Sequence, residues 1–250
     1  MVWALYDDLL TAIPPDLRVR DCLAGQHWTL VRSKTVGVAM TPQEGQLQVK
    51  GAGHLSGLKV RELAGYIKSW NFNEATLGLA ALNSALNTPE QAQKLAHVPP
   101  PVQEQASAFA AFREQVRGRK VAVIGHFPDL ELLADSCTLS ILERRPREGD
   151  FPDPACEYIL PEQDYVFITA TTLVNKTLPR LLELARPSRV ILVGPSTPLT
   201  GRLFHYGISV LAGTVVTEPE RVWQFVQEGG GGPELFNHGC CMVKVEENVD

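Results

Sequence analysis

KVAVIGHF at 120–127, DYVFITAT at 164–171 and RVILVGPS at 189–196 decide the fold. Each is a short, nearly uninterrupted apolar run that closes on glycine or threonine. Runs that do not alternate with polar residues mark strands buried on both faces, the pattern of a parallel sheet covered by helices. CTLSILE at 137–143 and GISVLAGTVV at 207–216 add two further strands. Helix-like stretches such as TLPRLLELA at 177–185 and EPERVWQFVQEG at 218–229 separate the strands. Five strands alternating with helices predict a doubly wound α/β sheet, with ligands beyond its carboxyl edge at the switch point. The glycine run at 229–232 reads as a flexible loop ending the last helix.

Upstream the pattern is different. KLAHVPPPVQEQ at 94–105 holds three successive prolines, a stiff extended connector. It places a domain boundary near residue 98, giving domains 1–98 and 99–250, with a helix over about 102–117 opening the second. In the first domain a helix near 2–12 stops at Pro14-Pro15, because proline removes an amide donor and disfavours helix at the preceding residue. LRVRDCL, HWTLVRS and TVGVAMT read as short strands, and GQLQVKGAGHLSG as a loop or hairpin. In VRELAGYIKSW the apolar Val60, Leu63, Ala64, Ile67 and Trp70 fall on one helical face. NEATLGLAALNSALN is small and apolar nearly all round, which predicts a buried helix, with Asn73 as N-cap and Glu74 in its first turn.

Composition excludes several classes. A formal charge of −5 over 250 residues leaves no electrostatic footprint for nucleic acid. No run of about 18 apolar residues exists to span a membrane. The first residues lack a basic n-region, and Asp7 and Asp8 interrupt the apolar stretch, so they read as a helix rather than a signal peptide. Five scattered cysteines do not make a disulfide framework, and a reducing cytoplasm is the simplest home. His238, Cys240 and Cys241 invite a metal reading, but no C-x-x-C partner accompanies them, so no metal ligands are assigned.

The candidate chemistry gathers at strand ends. A dinucleotide loop needs G-x-G-x-x-G so that bare amides approach the pyrophosphate. This chain has Gly125-His126-Phe127-Pro128-Asp129, with one glycine, a proline lacking an N–H and a carboxylate, which argues against a diphosphate site. Glu143 lies 18 residues after Gly125, near where an acidic residue binds ribose hydroxyls, or else pairs with a neighbouring arginine. Thr169, Thr171, Thr172, Asn175 and Lys176 precede a helix N-terminus, a combination suited to an anionic group or, residue by residue, to capping. The fourth strand ends at Gly194, Ser196 and Thr197, and the fifth at Gly213. His126, on the central loop, is the acid–base candidate. His54 could reach across from the first domain. Asn71 and Glu74 belong to a polar knot at 69–74, read as a ligand contact or a capped turn. No G-x-S-x-G, H-E-x-x-H or P-loop occurs.

DYVFITATTLVNKTLPRLLELA with VILVGPSTPLT and LAGTVV resembles the Rossmann-like domain of a heavy-metal chelation family. ELAGYIKSWNFNEATLGLAALNSALN resembles the smaller α+β, enolase-N-terminal-like domain that precedes it there. The resemblance spans nearly the whole chain. It implies a site in the cleft between the domains and a link to pterin-, flavin- or siderophore-like chelators rather than bare metal. Three functions follow as expectations. The first is an enzyme acting on a small anionic metabolite. Lys176, Thr171, Thr172 and Asn175 would hold the anion and His126 or Glu74 would move a proton. Amides around Gly194–Thr197 would stabilise negative charge. The second is a non-catalytic carrier of a metal chelate. The third is an S-adenosylmethionine-dependent methyltransferase resting on Glu143. No cofactor is identified by sequence, and the apolar helices around 60–86 leave a homodimer open.

Overall fold

The computed structural model describes residues 3–43, 48–96 and 108–247. The first half holds α1 (Ala4–Thr11), strands β1 (Asp21–Ala24), β2 (Trp28–Arg32) and β3 (Val36–Met40), then α2 (Val60–Ala64), α3 (Phe72–Leu86) and α4 (Pro89–Ala96). The strands form an antiparallel sheet in the order β1-β2-β3. The boundary expected at residue 98, and the first part of the helix expected over 102–117, lie outside the described residues.

The second half runs α5 (Ala108–Phe112), β4 (Lys120–Ile124), α6 (Glu131–Ala134), β5 (Thr138–Glu143), β6 (Phe151–Pro152), α7 (Cys156–Ile159), β7 (Tyr165–Thr169), α8 (Leu178–Leu184), β8 (Arg189–Val193), β9 (Val210–Val216), α9 (Pro219–Gln227) and β10 (Cys240–Glu246). Its sheet has seven strands in the order β10-β9-β8-β7-β4-β5-β6. All neighbours are parallel except β10 on β9. Strand order reverses between β4 and β7, where the connections leave on opposite sides and open a crevice.

Side chains alternate between two cores, as the two-residue strand period requires. Val121, Val123, Phe167, Ile191 and Val193 face α5 and α6. Ala122, Ile124, Val166, Ile168 and Leu192 face a larger core that also contains Tyr6, Leu9, Leu63, Leu79 and Leu82 from the first half. The two halves therefore share one core on that side. A third core joins Trp28, Leu30, Val36 and Val38 to Val216, Val222, Val226 and Leu235, seating the small sheet over the carboxyl edge of the large one.

Three sequence expectations change. The sheet expected to be parallel is mixed, because the segment after His238, at 240–246, is a strand: Cys240 pairs with Val216 and Glu246 with Val210. Gly213 is not a strand end. Val215 and Val216 carry β9 onward, and the β10 pairing holds them in register. Trp70 leaves the buried face, with 70% of it exposed. Its helix tightens to three residues per turn over Gly65–Lys68 and ends in extended Ser69, which rotates Trp70 outward. The helices at 60–64 and 72–86 bury their apolar residues inside the protomer. No helix among the described residues is long and apolar enough to cross a membrane.

Candidate functional site

A cavity of about 930 Å³ opens at the reversal of strand order. Its walls are the ends of β4 (His126–Asp129), β7 (Thr169–Thr171) and β8 (Val193–Ser196), roofed by His27, Trp28 and Met40 of the small sheet. Thr217, Glu218, Arg221 and the 232–242 stretch close the far side. A volume of this size suits a small organic ligand. A second hollow of about 550 Å³ lies between α6 and β5, lined by Leu139, Ile141, Glu131 and Arg147, and shares His126, Phe127 and Pro128 with the first.

Gly125 and Gly194 hold φ of +100° and +115°, a region that side chains rarely adopt. A Cβ on either would stand 3.7 Å from the Phe127 ring, which packs edge-on against Phe109 at 5.2 Å between centroids. The ring thus lies across the crevice where a diphosphate would approach a glycine-rich loop. His126 is held on both sides. Its Nδ1 is 3.3 Å from Arg147 Nη1, and its Nε2 is 3.8 Å from Asp150 Oδ1. Arginine only donates, so the neutral ring carries its proton on Nε2, towards the carboxylate. Asp150, whose side chain is only 4% exposed, also accepts from the Arg147 amide at 2.9 Å. Sequence reading missed Asp150, because it follows an ordinary charged turn at 144–149.

The threonine cluster is mostly self-satisfied. Thr169 Oγ1 caps the turn at 170–173 through the Thr171 amide and lies 3.0 Å from Thr171 Oγ1. Thr172 donates to the Thr169 carbonyl at 2.6 Å, and Asn175 Oδ1 accepts from the amide and hydroxyl of Thr177. Thr169 and Thr171 reach the cavity; Thr172 and Asn175 do not line it. The 194–199 loop is occupied by docking. The Gly194 amide donates to Ala212 and the Thr197 amide to Gly194. The Ser196 hydroxyl accepts from the Met40 amide, and Asn83 of α3 and Asn87, the residue at its C-cap, donate to the carbonyls of Ser196 and Thr197. These two asparagines, one helical turn apart, were hidden in the apolar text of α3. Gly213 lies where a Cβ would come 2.7 Å from the Thr197 carbonyl, so it packs against that loop, and it lines neither hollow.

Lys176, Glu74 and Asn71 meet in a second place, at the seam between the halves. Asn71, not Asn73, caps α3, accepting from the Asn73 amide at 3.0 Å. Glu74 accepts from the Lys50 amide and the Ser69 hydroxyl. Lys176 Nζ donates to the carbonyls of Ser69 and Val174 and lies 5.7 and 5.8 Å from the Trp70 and Phe72 ring centres. Burial lowers its pKa to about 8. Glu143 accepts from the Arg144 amide and lines neither hollow. His54 is exposed.

No group of three or more His, Cys, Asp or Glu among the described residues is placed to hold a metal ion. The cavity wall nonetheless carries scattered soft donors, His27, His126, Met40, Cys241 and Met242, which are too dispersed to close a coordination shell. Cys240 is buried, and burial raises its thiol far above the usual range.

Two family models match the chain, both described as "Putative heavy-metal chelation": DUF364 over residues 107–245 and DUF4213 over residues 6–86. A solved protein of unknown function from Desulfitobacterium hafniense, itself a DUF364 member, superposes with a TM-score of 0.88. It is 40% identical, and the match covers 98% of both chains. A DUF364 protein of unknown function from Pyrococcus horikoshii shares the fold, with TM-score 0.80 at 22% identity, over 99% of this chain and 100% of that one. An uncharacterised protein of Methanocaldococcus jannaschii is 29% identical over 207 residues, 78% of this chain and 75% of its own length. With one model spanning more than half of its length, this chain belongs to the DUF364 family.

Proposed function

We propose that the protein binds a small planar chelating metabolite, loaded with its metal ion, in the switch-point cavity. In this reading the large sheet is a Rossmann-like domain from about residue 99, and the first 98 residues are an enolase-N-terminal-like domain that roofs the site. One observation carries the choice of ligand: the charge on the wall. Asp129, Glu218 and Glu234 line the cavity with a single guanidinium, Arg221, which already pairs with Glu218 at 2.9 Å. Such a wall repels a free polyanion but accepts a chelate whose negative groups are offset by the metal. Phe127 and Phe236, both half-buried on the wall, offer ring surface to a ring system. The scattered thiol, thioether and imidazole groups supply single supplementary contacts to an ion that the metabolite already holds.

The seam residues Lys176, Glu74 and Asn71 support the site by fixing the first half in place rather than by touching the ligand, and Asn175 does so by capping the turn at Thr177. An enzyme of chelator metabolism remains the second reading, favoured by the Asp150–His126 contact at the cavity wall. Glu143 faces neither hollow, which speaks against a ribose contact and so against the methyltransferase reading. Calorimetric titration with one-to-one zinc–catecholate and zinc–pterin complexes tests the proposal. A His27→Ala, Cys241→Ser double variant is expected to bind the complex about tenfold more weakly, roughly 1.4 kcal/mol. Unchanged affinity in that variant would remove the reading.

A further inference from the structure

We propose that the second hollow, between α6 and β5, binds a free α-amino acid with an apolar side chain. The hollow exists because a short helix covers a longer strand. α6 has four residues and spans about 6 Å, whereas the six residues of β5 span about 20 Å. Leu139 and Ile141 belong to the core on the α6 side of β5, yet both stay half-buried, because the helix ends before it covers them. With Leu130 they give an apolar wall to a space of about 550 Å³, within the range of small-molecule sites.

The charges on that wall are balanced. Apart from the neutral His126 ring, its titratable side chains are Glu131, on α6, and Arg147, on the loop after β5. The two do not pair with each other, and among the described residues neither has an ion-pair partner. The guanidinium touches one side chain, His126, whose Nδ1 lies 3.3 Å from Nη1. That nitrogen accepts without bringing charge, so it orients the guanidinium and leaves its charge unmet. Nε and Nη2 keep their N–H bonds for a carboxylate, which they can hold as a fork. Opposite charges kept apart beside apolar side chains select a ligand that carries both signs and an apolar group. A monoanion would meet Arg147 but be repelled by Glu131, a monocation the reverse, and a neutral apolar molecule would leave both unmet. An α-amino acid answers all three features, with its carboxylate at Arg147, its ammonium at Glu131 and its side chain on Leu139 and Ile141. A peptide does not, because its terminal charges sit on different residues.

The test is calorimetric titration of the intact protein with L-leucine and L-phenylalanine. Their single-charge analogues are 4-methylpentanoate and 3-methylbutylamine for leucine, and 3-phenylpropanoate and 2-phenylethylamine for phenylalanine. At least one amino acid is expected to bind saturably, and its two analogues about tenfold more weakly. No saturable binding of either amino acid at millimolar concentration would overturn the proposal. An analogue that binds as tightly as its parent would overturn the pairing of both charges. Glu131→Gln is expected to weaken the amino acid about tenfold but not the deaminated acid, and Arg147→Met to weaken it similarly but not the amine. Both side chains are exposed, so the variants keep the fold. An amino acid that binds both variants as tightly as the wild type is held elsewhere, which would overturn the site. Neither Glu131 nor Arg147 lines the switch-point cavity, so failure here and failure of the chelate reading are separable.

Discussion

Asn87 Nδ2 donates to the Thr197 carbonyl at 2.9 Å, from the C-cap of a helix in one half to the loop that walls the cavity in the other. The same amide group reaches the Thr214 carbonyl at 3.1 Å, and its Oδ1 accepts the Leu199 amide at 2.8 Å. One buried side chain therefore satisfies three backbone groups drawn from β9 and the 194–199 loop.

Removing it should be costly. Asn87→Ala leaves two carbonyls and one amide buried without partners, and each unmet group costs about 1–3 kcal/mol. Some relaxation and water entry will offset this. A loss of about 3 kcal/mol is expected, or roughly 6–12 °C in melting temperature for a chain of this size. Urea unfolding followed by circular dichroism measures it. A loss below about 0.5 kcal/mol would mean that Asn87 does not join the halves.

Lys176 predicts a pH dependence with a definite sign. Its pKa in the folded protein is about 8, below the 10.5 of a free lysine side chain. Between those values the unfolded chain binds more protons than the folded one, so stability attributable to this group rises with pH. Below pH 8 the full cost of a half-buried ammonium is present; above about 10.5 it is gone. Relative to Lys176→Met, the wild type should therefore gain stability between pH 7 and pH 10. Paired urea titrations at the two pH values read this directly. A wild type that instead loses ground to the variant over that interval would show the amine to be stabilised as a cation.

The ring of His126 has a fixed tautomer in this account. Arg147 donates to Nδ1 and Asp150 faces Nε2. Nitrogen-15 NMR of the neutral ring should show a pyridine-like Nδ1 and a protonated Nε2, and Arg147→Gln should shift the population towards the other tautomer. A proton found on Nδ1 in the wild type would contradict the arrangement at the cavity wall.

The large sheet was legible in sequence because buried parallel strands announce themselves as unbroken apolar runs. β4, β7 and β8 end where KVAVIG, DYVFIT and RVILVG predict. β10 was not legible. Cys240–Glu246 alternates buried and exposed residues at its end, with Lys244 and Glu246 facing out, and its pairing with β9 is a long-range event. The cavity was legible in place but not in composition. The strand ends were visible, whereas His27, Trp28 and Met40 enter only because the small sheet docks on Val216 and Cys240. Lys176 and Glu74 have the residue types of a ligand site, yet Lys176 donates to the carbonyls of Ser69, across the seam, and Val174, and Glu74 accepts from the Lys50 amide and the Ser69 hydroxyl of its own half, contacts which no local pattern encodes.

The cavity's occupant is the central claim, and a thermal-shift comparison of free metal ions, free chelators and preformed metal chelates tests it most directly. A ligand that binds only the native state at 100 times its Kd stabilises by about 2.7 kcal/mol, roughly 5–10 °C here. The account predicts a rise of that order with a preformed complex of a planar chelator, and a markedly smaller one with either component alone. A full rise with the bare ion, which no chelator increases, would contradict it and place a metal site in the protein itself.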